Sequence, residues 1–111
     1  MEINHTSYKR CDVLSVKGRV DSATAPQLSD ELNRLMENGR YRLVLDLANA
    51  TFLSSAGLRT LLNTQKNCKR HNRGELVLAS VPANILAALE LSGFVPIFRI
   101  FDDVLSAVGN I

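Results

Sequence analysis

The sequence predicts an α/β domain built on a mostly parallel, mixed sheet, and three observations carry that reading. Strand-like apolar runs alternate with stretches of helical periodicity along the chain. The run Leu43-Val44-Leu45-Asp46-Leu47 is nearly continuous in apolar residues, the pattern of a strand covered on both faces. The length, 111 residues, is near the commonest domain size, enough for one core and too short for two.

Each element follows from local chemistry. A first strand is expected over residues 3–8 and a second over 12–18, where Val13, Leu14 and Val16 supply β-prone bulk before Gly18 interrupts it. Thr24-Ala25-Pro26 reads as a cap followed by proline in the first helical turn. Leu28, Leu32, Leu35 and Met36 then recur at helical spacing until Asn38-Gly39, which makes a surface helix with one buried stripe. The central strand spans 41–47 and leads through a short polar turn to a helix that opens on Ser54-Ser55 and buries Leu58, Leu61 and Leu62. That helix finishes in Lys66, Lys69, Arg70, His71 and Arg73 before Gly74, a cationic end that complements the negative pole of the helix dipole. A solvated helix end explains this run more simply than a basic binding patch. Residues 75–80 form another strand. Pro82 opens a helix carrying Ile85, Leu86 and Leu89, and Gly93 closes it. A last strand is expected over 97–101, with Asp102 capping a final helix through Val104, Leu105 and Val108. The count is about five strands and four helices in one domain, residues 1–111.

Composition excludes several function classes. Thirteen Lys and Arg against eleven Asp and Glu leave a formal charge of +2, too small to imply nucleic acid. The aromatics are not interleaved with basic residues as a base-stacking surface requires. Cys11 and Cys68 lie far apart without metal-like spacing and read as reduced thiols. No apolar run approaches the ~20 residues of a membrane span, and Met1-Glu2-Ile3-Asn4-His5 lacks the layout of a signal peptide. A cytoplasmic protein without direct membrane insertion is the expectation.

Catalytic constellations are missing as well. His5 and His71 are isolated in sequence and read as surface histidines. Ser55 sits in Leu-Ser-Ser-Ala-Gly, not the Gly-x-Ser-x-Gly of a hydrolase elbow, and no glycine-rich loop with a following lysine suggests a P-loop. The chain is therefore expected not to be an enzyme and to carry no cofactor or metal.

Two places retain functional interest. A serine at the start of a helix sits among unpaired backbone N–H groups at the positive end of the dipole, where a phosphate is favoured. Ser54 and Ser55 are thus candidates for a switch, with simple capping as the competing reading. Asp21 follows Gly18-Arg19-Val20 at the C-terminal end of a strand, the edge where open α/β sheets place functional loops. On the residues alone, capping or leading into the first helix is the favoured reading of Asp21.

Two blocks decide between these readings by resemblance. The stretch DLANATFLSSAGL, residues 46–58, and the stretch VKGRVDSATAP, residues 16–26, resemble in order and spacing the signature of the STAS family, the anti-sigma factor antagonists. Leu91-Ser92-Gly93-Phe94 resembles the family's turn after its third helix, so the resemblance covers nearly the whole chain. It implies a partner that is both an anti-sigma factor and a serine kinase of the histidine-kinase-like ATPase fold. Phosphorylation of the antagonist blocks binding, and a metal-dependent Ser/Thr phosphatase restores it. Matching Gly57-Leu58 to the family's Gly-Leu makes Ser55 the phosphoacceptor, with Ser54 the alternative. Asp21 then matches the acid beside that serine, and the implied partner surface comprises Asp21, Ser54, Ser55, Ala56, Gly57 and Arg59. The chain departs from the pattern at Ser54, often an acid, and at Ala56, commonly serine. The alternative functions are a constitutive interaction subunit of a transporter or lipid-transport complex and a nucleotide-binding module.

Overall fold

A computed structural model describes residues 1–111, the side chain of His71 excepted, so the expectation that His71 is a surface histidine lies outside the described residues. The strands are β1 (Glu2–Ser7), β2 (Asp12–Val20), β3 (Arg42–Leu53), β4 (Glu75–Ala79) and β5 (Ile100–Phe101). The helices are α1 (Ala25–Glu37), α2 (Ser55–Lys69), α3 (Ala83–Leu91) and α4 (Val104–Asn110), with short 3-10 turns at Arg70–Asn72 and Val95–Ile97. The five strands form one sheet in sequential order, β1 antiparallel to β2 and the others parallel.

Sequential order and a constant crossover hand put α1, α2 and α3 on the same face of the sheet. The core lies there: Leu14 and Val16 of β2, Leu43, Leu45 and Leu47 of β3, and Leu76 and Leu78 of β4 meet Leu28 and Leu32 of α1, Leu61 of α2 and Leu89 of α3. The opposite face carries a smaller cluster of Val13, Val44, Val77 and Ala79 under Ala107 of α4. Strand alternation explains why consecutive residues of β3 enter different clusters, and why the run looks continuous in sequence.

The structure departs from the sequence reading at several boundaries. β3 does not stop at residue 47 but continues to Leu53, because its far half pairs with β2 alone, with register shifts between Ser15 and Lys17 and between Gly18 and Arg19. Its pairing with β4 ends at Asp46 and Ala79, so Ala48, Asn49, Thr51 and Phe52 are exposed while Ala50 and Leu53 still face the core. One-sided pairing made a strand read as a polar turn. Gly18 lies inside β2 with φ +100°, the left-handed region that a side chain resists. The last strand shrinks to two residues, since Pro96 sits in a 3-10 turn. Asp103, not Asp102, caps α4 by accepting a 2.7 Å bond from the Ser106 amide at Oδ1. On α2 only Leu61 of the three expected leucines is fully buried, and Thr64, Gln65 and Cys68 complete its inner face.

Two polar groups tie the sheet to its surroundings. Gln65 accepts from the Leu76 amide at 2.7 Å and donates to the Leu76 and Ile97 carbonyls, which satisfies a buried amide completely on β4 and the 3-10 turn. Asp12, 1 % exposed at the start of β2, meets His5 Nε2 at 2.7 Å and the Arg40 guanidinium. His5 is at the surface as expected, yet it has a partner that sequence alone does not supply. Cys11 and Cys68 are free and buried, and burial pushes the Cys68 thiol up to about 12. No helix among the described residues is long and apolar enough to cross a membrane.

Candidate functional site

The C-terminal edge of the parallel strands brings the two candidate segments together. β2 ends at Val20 and β3 at Leu53, and these residues are register partners. Asp21 and Ser54 each follow directly. The Ser54 amide donates to the Val20 carbonyl at 2.8 Å, so the strand ladder is carried into the loop before α2.

The two serines have different local roles. Ser54 is the N-cap of α2, with extended backbone, and its Oγ accepts from the Gly57 amide at 3.2 Å. Ser55 is the first residue of the helix and exposed, and among the described residues its hydroxyl makes no hydrogen bond. Arg59, one turn further and also exposed, shares its helix face. Ala56 is half-buried and Gly57 buried.

Gly57 is required by close approach rather than by backbone angle. A Cβ at this position would lie 2.7 Å from both Leu53 Cδ1 and Val20 Cγ1 and 3.2 Å from the Val20 carbonyl oxygen. The first turn of α2 therefore rests directly on the ends of β2 and β3, and the missing side chain sets how closely the serines approach Asp21's loop.

Asp21 organises the turn that leads into α1. Its Oδ1 accepts from the Ala23 and Thr24 amides at 3.0 and 3.1 Å, an Asx-type turn ahead of α1, with Thr24 Oγ1 3.2 Å away. Thr24, expected as the cap of that helix, makes no side-chain cap bond. Its hydroxyl instead donates to the Arg19 carbonyl at 2.8 Å and accepts from the Asp21 amide. Asp21 Oδ2 stands 3.6 Å from Arg19 Nε. Desolvation works to raise the Asp21 pKa, but the hydrogen bonds from Thr24 and Ala23 and the Arg19 charge outweigh it and hold the carboxyl below its usual value. The Arg19 guanidinium in turn lies 4.3 Å above the Phe52 ring.

Residues that sequence reasoning missed come from α3. A groove of about 110 Å³ beside the serines is lined by Leu53, Ser54, Ser55 and Leu58 on one side and Ala88, Leu89 and Ser92 on the other. Asn84 Nδ2 donates to the Thr51 carbonyl at 3.0 Å and pins the start of α3 to the end of β3. No local signal in sequence marks this contact, which exists only because α3 crosses back over the sheet. Among the described residues no group of three or more His, Cys, Asp or Glu side chains could hold a metal.

Comparison with known proteins agrees with this fold. Residues 2–107 match the family model described as the STAS domain. The chain is 40% identical over 88 residues to BtrV of Bordetella bronchiseptica, a protein assigned as an anti-sigma factor antagonist, covering 79% of this chain and 75% of that one. A Thermotoga maritima protein assigned to the same function superposes with a TM-score of 0.91 at 16% identity, covering 98% of this chain and 93% of that one. The Bacillus cell fate determinant SpoIIAA in its phosphorylated form superposes with a TM-score of 0.77 at 14% identity, each chain covered to 97%.

Proposed function

Because this chain belongs to the STAS domain family, with anti-sigma factor antagonists among its relatives, we propose that it binds a kinase-type anti-sigma factor and is switched off by phosphorylation of Ser55. The observation that carries the proposal is the contrast between the serines: Ser54 Oγ is committed to the Gly57 amide, while Ser55 Oγ is exposed at the first helical position. A kinase needs a hydroxyl it can reach without dismantling a cap. The partner is a serine kinase of the histidine-kinase-like ATPase fold, and a metal-dependent Ser/Thr phosphatase reverses the modification. ATP, magnesium and the catalytic base come from the kinase, and this chain supplies the nucleophilic hydroxyl.

Charge explains how such a switch works without unfolding the domain. A phosphoserine adds close to two negative charges and three strong acceptors. In the first turn of α2 these face unpaired amides and the positive dipole end, so the helix tolerates them. At a docking surface shared with the ionised Asp21, the same charges must lose water beside a like charge. Binding is lost by local repulsion and bulk, with Ala56, Gly57 and Arg59 completing the contact surface. The domain acts in the cytoplasm, on sigma-factor-dependent transcription.

The test is binding of quantitatively phosphorylated protein to the anti-sigma partner by calorimetry, beside unmodified protein. Loss of binding on phosphorylation is the expected result. Equal affinity of the two forms would make the domain a constitutive interaction subunit instead.

A further inference from the structure

The N-terminal edge of the parallel strands, opposite Ser55, gathers cations from three separate segments. Lys9 and Arg10 come from the β1–β2 turn, Arg40 from the α1–β3 connection with Arg42 at the start of β3, and Arg73 from the segment after α2. With Gly39 and Tyr41 they line a cavity of about 330 Å³ that contains no acidic residue in its wall. Two neighbouring cavities are mixed in charge, one lined by Arg42, Lys69 and Glu75 and the other by Glu37, Arg70 and Arg73, so the purely basic wall is confined to the cleft. Sequence accounts for the basic end of α2 as a solvated helix terminus, but it does not bring Lys9, Arg10 and Arg42 to the same place.

The cations of the cleft divide into a fixed floor and an unpaired rim. Arg40 is anchored: its Nε donates to Asp12, and Nη2 donates to the Tyr8 and Cys11 carbonyls, the latter at 3.2 Å. Arg73 Nη1 donates to the Tyr41 hydroxyl at 2.8 Å, and its guanidinium lies 5.1 Å from the Tyr41 ring centroid. Asp12 neutralises Arg40, whereas Lys9, Arg10, Arg42 and Arg73 have no ion-pair partner among the described residues. The C-terminus of α1 also points to this end and opposes an anion with about half a charge. Four full, unpaired positive charges outweigh it.

We propose that this cleft is a binding site for a small anion carrying two or more phosphate groups. Guanidinium forks match phosphate oxygens bidentately, and three of the five cations are arginines on the rim. The cavity lies at the small end of the range for ligand sites, and its one aromatic ring is already occupied by Arg73, so it offers charge and hydrogen bonds rather than an apolar pocket. A docked protein segment would want an exposed apolar anchor, and none lines the cleft. The site is remote from the proposed phosphorylation switch and does not depend on it.

The probe is sodium tripolyphosphate, titrated calorimetrically into the full chain at about 50 mM salt, where screening is modest. One saturable site is expected, with resonances of Gly39 to Arg42 shifting in an amide NMR titration and those of Ser54 to Gly57 unmoved. Arg42→Gln combined with Arg73→Gln is expected to weaken binding at least about tenfold. Lys9→Gln combined with Arg10→Gln, whose side chains make no hydrogen bond within the described structure, is expected to do likewise. Lys17→Gln combined with Arg19→Gln removes the same net charge toward the opposite end of β2 and should leave binding within about twofold. Absence of binding at millimolar tripolyphosphate, an equal loss in the remote double variant, or shifts centred on α2's first turn would each overturn the proposal.

Discussion

The Ser54 amide donates to the Val20 carbonyl at 2.8 Å, which fastens the residue before the exposed serine to the residue before Asp21. One hydrogen bond thus holds the two segments of the proposed switch at a common sheet edge, and the predictions for that edge follow from it.

Ser55 should carry the phosphate and Ser54 the cap. Mass spectrometry after incubation with the partner kinase and ATP is expected to place the modification on Ser55, and Ser54→Ala should leave it there while lowering stability by about 1 kcal/mol through the lost cap. Ser55→Ala is expected to bind and resist inactivation. Modification that disappears with Ser54→Ala and persists in Ser55→Ala would exchange the roles.

Asp21 couples structure and charge, and two substitutions separate them. Asp21→Ala loses the acceptor for the Ala23 and Thr24 amides and is expected to lower both the melting temperature and partner affinity. Asp21→Asn keeps an acceptor oxygen but removes the charge. With Asn there, phosphorylation of Ser55 should weaken binding less than it does in the parent protein. Calorimetry that finds the same phosphorylation penalty in both would remove Asp21 from the electrostatic mechanism.

Gly57→Ala should destabilise the domain although alanine is the better helix former. The helical gain is about 1 kcal/mol, and it is opposed by contacts at 2.7 Å with Leu53 and Val20. Overpacking of this kind costs about 1–3 kcal/mol and shifts the first turn of α2 away from the sheet. Urea denaturation checks the sign, and a stabilised variant would mean that Leu53 and Val20 repack freely.

Leu45→Ala is expected to cost about 2–5 kcal/mol, because Leu45 is 0% exposed in the central strand between Leu14 and Leu78. A loss below about 0.5 kcal/mol, typical of surface sites, would be incompatible with that position.

Acid should weaken the domain partly through Asp12. Burial alone would raise its pKa, but hydrogen bonds from His5, Arg40 and Ser7 and the Arg40 charge hold it below the usual aspartate range. A carboxyl whose folded pKa is depressed contributes stability above its unfolded pKa of about 3.9, and that contribution fades as pH falls through the folded value. Denaturation at pH 7 and pH 3 should show a smaller difference for Asp12→Asn than for the parent. An unchanged difference would assign the acid sensitivity elsewhere.

Sequence by itself determined the α/β class, the order of the elements, the central strand and the family, because periodicity, glycine and proline punctuation and the Ser-Ser-Ala-Gly-Leu helix start are all local signals. It also singled out Ser54, Ser55 and Asp21. It left open which serine caps α2 and which groups hold the Asp21 carboxylate, since those depend on which atoms meet: Gly57's amide finds Ser54 Oγ, and Asp21 Oδ1 finds the Ala23 and Thr24 amides while Oδ2 faces Arg19. The length of β3 was illegible because a strand paired on one side exposes polar residues that read as a turn. The α3 wall of the groove, the His5–Asp12–Arg40 cluster and the basic cleft at the far end join residues up to 64 positions apart, as Lys9 and Arg73 are. Only chain crossings that return over the sheet create such neighbours, and no window of sequence contains them.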